Sequence, residues 1–305
     1  MLDESIVDWY NLLMQNNYSS ENIDALKDRA KRIRLLATDL DGTLLNRKHQ
    51  LSDVNLAALK ACADKGIIIC AATGRARSSL PDNVAGFEGM KYLITANGAK
   101  IYNAKTNEIL REEYLSEEAI EYVRPYLYDK EILCEYFWNG DPHVEESRFH
   151  NAEGYGIPFW FSDYFFASRI PTADFESEVE THAREIENVT FVFDTDEKKE
   201  RVSSFLLKRN DLYELTSAFA FHFEIGGKGV SKAAALEFIL QREGIHPDDI
   251  ICFGDNHNDA AMMKYAGISV APANSVNEVQ QISDFVTDYN DNDGFAKALQ
   301  ILGII

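Results

Sequence analysis

Three apolar runs in this chain each stop at residues able to hold a cation or an anion. The run 35–38 stops at Asp39, with Asp41 two positions on and Gly42-Thr43 behind it. The run 67–72 stops at Thr73-Gly74-Arg75, and the run 250–253 stops at Gly254-Asp255, followed by Asn256-His257-Asn258-Asp259. Apolar runs of this length bounded by turn residues read as buried strands. Side chains at i and i+2 of an extended chain share a face, so Asp39 and Asp41 can point into one site. Two carboxylates held that close repel each other unless a cation or a shared proton offsets the charge. Taken singly, each run end also reads as a solvated turn. In a parallel sheet, however, the three ends lie on one edge, where open α/β sheets place their ligands.

The elements around these runs alternate as a parallel sheet requires. Ser52 can cap a helix that runs through Ala63 and ends at Gly66. Strands are expected at 67–72 and 92–96, and Asn97-Gly98 is a hairpin-turn signal leading into 99–102, with 109–113 as a further strand. Near Leu115 the alternation stops. A helix over 116–127 leads there into a strand over 132–138 and the Asn139-Gly140-Asp141-Pro142 turn. Then come an aromatic stretch at 155–166, a helix over 175–186, a strand over 189–194, a helix over 197–208 and short strands near 212–216 and 220–225. The alternation resumes with a helix over 231–242, the strand at 250–253, a helix from about Asn258 to Gly267, strands at 268–271 and 285–287, and helices over 275–282 and from Phe295. This predicts a doubly wound parallel α/β core over 33–114 and 219–305, with an α+β unit over 115–218 inserted into it. In residues 1–32, Ile6, Trp9, Tyr10 and Leu13 recur at helical spacing and Ser20 can cap a second helix. That segment is expected to be a helical extension packed on the core, with a homodimer or partner contact as the alternative.

Composition narrows the chemistry. A formal net charge of −20 repels phosphate backbones and argues against nucleic-acid binding driven by charge. An anionic substrate would need local positive charge or a metal. No apolar stretch is long enough to span a bilayer. Cys62, Cys70, Cys134 and Cys252 form no Cys-x-x-Cys pair, and residues 1–10 carry Asp3, Glu4 and Asp8 in place of a basic, apolar signal pattern. A reducing, cytoplasmic setting is expected.

In order and spacing, these clusters resemble the haloacid dehalogenase superfamily, and within it the Cof-type, sugar-phosphatase-like branch. Asp39-Leu40-Asp41-Gly42-Thr43 is similar to the first family motif, Asp-x-Asp-Gly-Thr, and Thr73-Gly74-Arg75 to the second. Lys232, in Gly229-Val230-Ser231-Lys232, is similar to the third, and Gly254-Asp255-Asn256-His257-Asn258-Asp259 to the fourth. Asn97-Gly98-Ala99 and Asn274 also sit where that branch has them, and the resemblance runs from about Ile33 to the C-terminus. It implies a Rossmann-like core with a C2-type cap over 115–218 that reads the leaving group. By resemblance, Asp39 is the nucleophile that forms an aspartyl phosphate, and Asp41 is the general acid and then base. The presence of Asp41 favours phosphoryl transfer over carbon–halogen cleavage. Thr73, Gly74, Lys232 and Asn258 would bind the phosphoryl group. Mg²⁺ would be held by Asp39, the backbone carbonyl of Asp41 and Asp255, with Asp259 orienting the ligands. The implied activity is a Mg²⁺-dependent phosphatase for small phosphorylated metabolites, such as sugar phosphates or similar phosphomonoesters. A phosphomutase or phosphotransferase using the same intermediate is an alternative. So is a sugar-phosphate sensor, although a pure binder has no need of Asp41.

Other residues carry weaker signals. Arg75 reads equally as a substrate contact or as a salt bridge that orients its loop. His143, His150 and His257 read as surface residues, and the aromatic stretch 155–166 as cap packing or cleft lining. Gly226-Gly227-Lys228-Gly229 lacks the upstream glycine and the hydroxyl residue after lysine that a phosphate-cradling loop needs.

Overall fold

The computed structural model describes residues 20–217 and 221–305. Along the first part of the chain run β1 (Leu35–Thr38), β2 (Ile68–Ala72), β3 (Met90–Thr95), β4 (Lys100–Asn103) and β5 (Ile109–Glu112). The middle supplies β6 (Leu133–Trp138), β7 (Asp141–Glu145), β8 (Ile170–Thr172), β9 (Ile186–Val192), β10 (Tyr213–Thr216) and β11 (His222–Gly227). The last part adds β12 (Ile250–Phe253), β13 (Ile268–Ala271) and β14 (Phe285–Val286). They form one sheet in the order β14-β13-β12-β1-β2-β3-β4-β5 and a second in the order β10-β11-β9-β6-β7-β8.

The first sheet is parallel from β14 to β3, and β4 and β5 extend it antiparallel. Its central strands are buried on both faces, which is why they read as unbroken apolar runs. Leu36, Ile69, Leu93 and Ile251 face the helices Asp53–Asp64 and Gly294–Ile301, while Leu35, Ala37, Cys70 and Cys252 face the helices Lys232–Glu243 and Ala260–Tyr265. β1 is the switch point: the chain moves to β2 and β3 on one side of it and returns to β12 on the other. Thr38 lies level with Phe253 and with Ala71, so the residues that follow each strand emerge side by side. A crevice at such a point is where α/β sheets take their ligands.

The second sheet is antiparallel apart from the β7–β8 pair. One of its faces packs on the helices Glu117–Leu127, Phe175–Thr181 and Asp196–Leu206. Asn139 (φ 52°) and Gly140 (φ 82°) form the two-residue turn between β6 and β7. The expected turn also took in Asp141 and Pro142, but both lie within β7, with Pro142 opposite Phe137. The aromatic stretch contributes the helix Phe159–Ser168.

The boundary expected at 218/219 needs correction. β11, placed with the core from sequence, is hydrogen-bonded between β9 and β10 in the second sheet. Residues 222–227 therefore belong to that sheet, and the return to the first sheet begins near Lys228. In the N-terminal extension, Ile23, Leu26 and Ala30 of the helix Ser20–Ala30 join the core cluster, and Arg29 pairs with Asp284 at 3.0 Å. The expected stripe of Ile6, Trp9, Tyr10 and Leu13 lies outside the described residues. Among the described residues, no helix is long and apolar enough to cross a membrane.

Candidate active site

Asp39 follows β1 directly, and its backbone N–H donates to the Phe253 carbonyl at 2.9 Å. Its side chain is buried and accepts from the Lys232 ammonium at 2.6 Å. Lys232 opens the helix Lys232–Glu243, whose first turn is capped by the Ser231 hydroxyl accepting from the Ala234 N–H at 3.1 Å. The same ammonium donates to Asp259 at 2.7 Å. The other Asp259 oxygen accepts from the backbone N–H groups of Asp255 and Asn256 at 3.0 and 3.1 Å. Asp259 thus ties the loop after β12 to Lys232, which in turn is tied to Asp39. The approach depends on Gly98, which has φ +112°: a Cβ there would lie 2.4 Å from the Ser231 carbonyl oxygen.

Asp255 is half-buried and accepts from the Thr43 hydroxyl at 3.0 Å. Gly42, at φ +80°, leaves room for it, since a Cβ there would lie 2.5 Å from an Asp255 oxygen. The Gly42 carbonyl is fixed by the Asn274 amide at 2.7 Å. Oxygens of Asp39, Asp255 and Asp259 lie within 4.8 Å of one another. Burial pushes the Asp39 carboxyl up to about 7, with repulsion from Asp259 and Asp41 adding to it and Lys232 opposing it. Burial, helped by Asp39 and Asp259, likewise pushes Asp255 well above the ordinary range. Three carboxylates thus cluster around one ammonium that bonds only two of them, Asp39 and Asp259, an arrangement that favours a further cation. Because both Asp259 oxygens are already engaged, Asp39 and Asp255 are left as the carboxylates to meet that cation. This fits Mg²⁺, which takes few carboxylates and keeps several waters.

Asp41 is held differently. The Arg75 guanidinium donates to both of its oxygens at 2.6 Å, and His49 Nδ1 lies 2.7 Å from one of them. Burial alone would raise the Asp41 carboxyl, but the charge and hydrogen bonds of Arg75, helped by His49, hold it well below its ordinary value. Arg75 is therefore the salt bridge of the two expected readings, and it also lines the cleft. The Tyr164 ring reaches over from the second sheet's unit, 4.1 Å from the Arg75 guanidinium carbon and 5.1 Å from the His49 ring.

Asp39, Asp41, Thr73, Gly74, Asp255 and Asn258 all line one cleft between the two units, with an empty space of about 740 Å³ counted to its open mouth. Asn258 donates to the side-chain oxygen of Asn97 at 3.0 Å, and Asn97 in turn bonds Glu224. Two of the expected residues stand behind the cleft rather than in its lining: Lys232, placed from sequence on the phosphoryl group itself, and Asp259. The expected histidines stay outside. His150 and His257 are exposed, whereas His143 is half-buried, stacked on Tyr136 at 5.0 Å rather than free on the surface. The aromatic stretch divides: Phe161 and Tyr164 line the cleft, and Phe165 is buried in a cluster with Val144 and Val192.

Sequence reasoning missed His49 and the polar residues of the cleft's second wall. There Arg169 grips Glu135 at 3.1 and 3.2 Å, and His222 meets Glu224 at 2.9 Å. A signal was available, because Glu135 and Glu224 are charged residues inside otherwise apolar or aromatic strands, where a carboxylate is costly unless paired.

The comparisons agree with this geometry. The family model of haloacid dehalogenase-like hydrolases matches residues 36–299. A 5-amino-6-(5-phospho-D-ribitylamino)uracil phosphatase of Bacillus subtilis is 29% identical over 270 residues, spanning 88% of this chain and 95% of the relative. A solved haloacid dehalogenase-like hydrolase from B. subtilis superposes with a TM-score of 0.76 at 26% identity, covering 88% of this chain and 99% of that one. A solved sugar phosphatase of haloacid dehalogenase subclass IIB gives 0.75 at 26% identity, covering 89% and 100%. This chain belongs to the haloacid dehalogenase-like hydrolases and is an enzyme of their phosphatase type.

Proposed function

We propose that the enzyme is a Mg²⁺-dependent phosphatase for small phosphorylated metabolites, sugar phosphates or similar phosphomonoesters, working through an aspartyl phosphate on Asp39. The observation that carries this reading is the arrangement at the β1 edge. Asp39 stands between Lys232 and the Asp255 loop, and Asp41 is clamped two residues away. An Asp39 oxygen attacks phosphorus and the ester oxygen leaves with a proton from Asp41. Water then attacks the acyl phosphate and gives its proton to Asp41. Arg75 and His49 hold Asp41 ionised, which suits the second step. For the first step the Arg75 pair has to loosen as substrate enters, so that the carboxyl can carry a proton. Thr73, Gly74 and Asn258 bind phosphoryl oxygens, while Lys232 offsets charge through its bond to Asp39. A Mg²⁺ held by Asp39, Asp255 and the Asp41 carbonyl would neutralise charge on the transferring group. Asp259 orients Lys232 and the loop of Asp255.

The test is phosphate release from a panel of phosphorylated metabolites that includes the compound for which the B. subtilis relative is named. Turnover is expected to stop with EDTA and return with Mg²⁺. Undiminished turnover in EDTA counts against the metal. Phosphate passed to a second sugar instead of released would point to a phosphomutase or phosphotransferase, and binding without turnover to a sensor. The four buried free cysteines support a reducing, cytoplasmic setting. A homodimer through the N-terminal extension remains the alternative there, and it would not use the Ile23–Leu26–Ala30 stripe of the helix Ser20–Ala30, which is packed in the core.

A further inference from the structure

The two faces of the second sheet differ in chemistry. On one, Cys134, Tyr136, Val189, Phe191 and Ile225 form an apolar core. On the other, the register sets Glu135 opposite Thr190 and Thr190 opposite Glu224, so that a polar row crosses β6, β9 and β11. All three residues line the cleft that holds Asp39. Glu135 and Glu224 are buried, and placing carboxylates in central strands is costly until partners offset the lost hydration. An apolar row would fill the same space more cheaply, so the polar one calls for a use.

The charged groups of the lining indicate which use. Among the described residues, Arg75 and Arg169 are the arginines or lysines that line the cleft. Each is already bound through two hydrogen bonds to a carboxylate, Arg75 to Asp41 and Arg169 to Glu135. Lys232 is committed to Asp39 and Asp259 behind the lining. Glu224 is bonded by His222 and by the neutral amide of Asn97. The lining therefore spends its guanidinium charge on its own carboxylates, and Glu224 adds a further negative group. Hydroxyl groups both donate and accept, so they can bond the carboxylates, Thr190 and the edge of Arg169 alike. A second anionic group on the substrate would meet Glu135 and Glu224.

We propose that the Glu135–Thr190–Glu224 row, with Arg169, is the specificity-determining surface for the leaving group. It selects uncharged, polyhydroxylated leaving groups and rejects those with a second phosphate or a carboxylate. This inference rests on the phosphatase reading above.

The experiment compares kcat/KM for three kinds of substrate: p-nitrophenyl phosphate, ribitol 5-phosphate, and the pair fructose 1,6-bisphosphate and 2-phosphoglycolate. Wild type is expected to favour ribitol 5-phosphate over the anionic pair by about tenfold or more. Glu135→Gln, which keeps the shape and removes the charge, should narrow that preference by about fivefold or more. Glu135→Asp, which keeps the charge and shortens the reach, should slow ribitol 5-phosphate while still rejecting the anionic pair. Should Glu135→Gln fail to fold by circular dichroism, Glu224→Gln takes its place with the same expectation. Intact p-nitrophenyl phosphate turnover with an unchanged preference in the charge-removing variant overturns this inference alone. No turnover of any substrate by wild type overturns the phosphatase reading, and this inference with it.

Discussion

Lys232→Met removes the one charge that Asp39 and Asp259 share while keeping a side chain of similar length. The lysine is fully buried and bonds the two carboxylates at 2.6 and 2.7 Å. Removing one partner of a buried ion pair costs about 3–5 kcal/mol, because the remaining charge is stranded in a poor solvent. At roughly 2–4 °C per kcal/mol for a chain of about this size, Tm should fall by about 6–20 °C at neutral pH. The pH dependence has a definite sign. Burial already pushes Asp39 up to about 7 in the folded protein, above the roughly 3.9 of an unfolded aspartate. Loss of the lysine raises Asp39 further, so the folded variant binds more protons than the unfolded chain across that window. The variant's stability therefore falls as pH rises through the folded value and recovers on acidification. The gap in Tm between variant and wild type should be larger at pH 7.5 than at pH 5. Turnover of p-nitrophenyl phosphate should drop by roughly 10²–10³-fold, the scale of losing one preorganised charge-stabilising group. Calorimetry at the two pH values and a steady-state assay measure all three quantities. A Tm within about 2 °C of wild type at both pH values, with turnover preserved, would refute the reasoning, since that shift is under 1 kcal/mol.

Two further outcomes come from the packing. Gly42→Ala places a methyl 2.5 Å from an Asp255 oxygen at φ +80°, so it should displace Asp255 and raise the Mg²⁺ concentration needed for half-maximal turnover. A metal titration of activity reads this directly, and an unchanged half-saturation point contradicts the assigned role of Gly42. The four cysteines are buried and free, and burial pushes the Cys62 and Cys134 thiols up to about 12. Native protein at pH 8 should resist iodoacetamide, while all four cysteines alkylate in urea. Mass spectrometry distinguishes the two states, and labelling of the folded protein would count against the burial.

The features legible in advance were those that physical periodicity marks. The central strands of the first sheet are buried on both faces, and burial of that kind leaves an unbroken apolar run whose polar end is conspicuous. Asp39, Thr73 and Asp255 were found in this way, and the structure brings them to one cleft. Lys232 carries no such mark, because it opens a helix and its partners are remote in sequence; only the resemblance singled it out. His49 and Arg169 are harder still: His49 meets Asp41 across eight residues of one loop, Arg169 reaches Glu135 from another part of the chain, and no helix or strand spacing records either pairing. The boundary near residue 218 was misplaced for a related reason. β11 alternates as a strand in either sheet, and only its hydrogen-bonded neighbours β9 and β10 decide where it belongs. The cleft's second wall stayed hidden because register across β6, β9 and β11 aligns Glu135, Thr190 and Glu224, and register is a tertiary fact.

Asp39 is proposed as the nucleophile, one of its carboxylate oxygens giving an electron pair to phosphorus. Asp39→Asn keeps the size and the hydrogen-bonding shape of the side chain and removes its power to attack phosphorus. Steady-state turnover of p-nitrophenyl phosphate by this variant, measured beside a thermal melt, tests the claim most directly. A folded protein with turnover reduced to background is expected. Turnover close to wild type in the folded variant would contradict it.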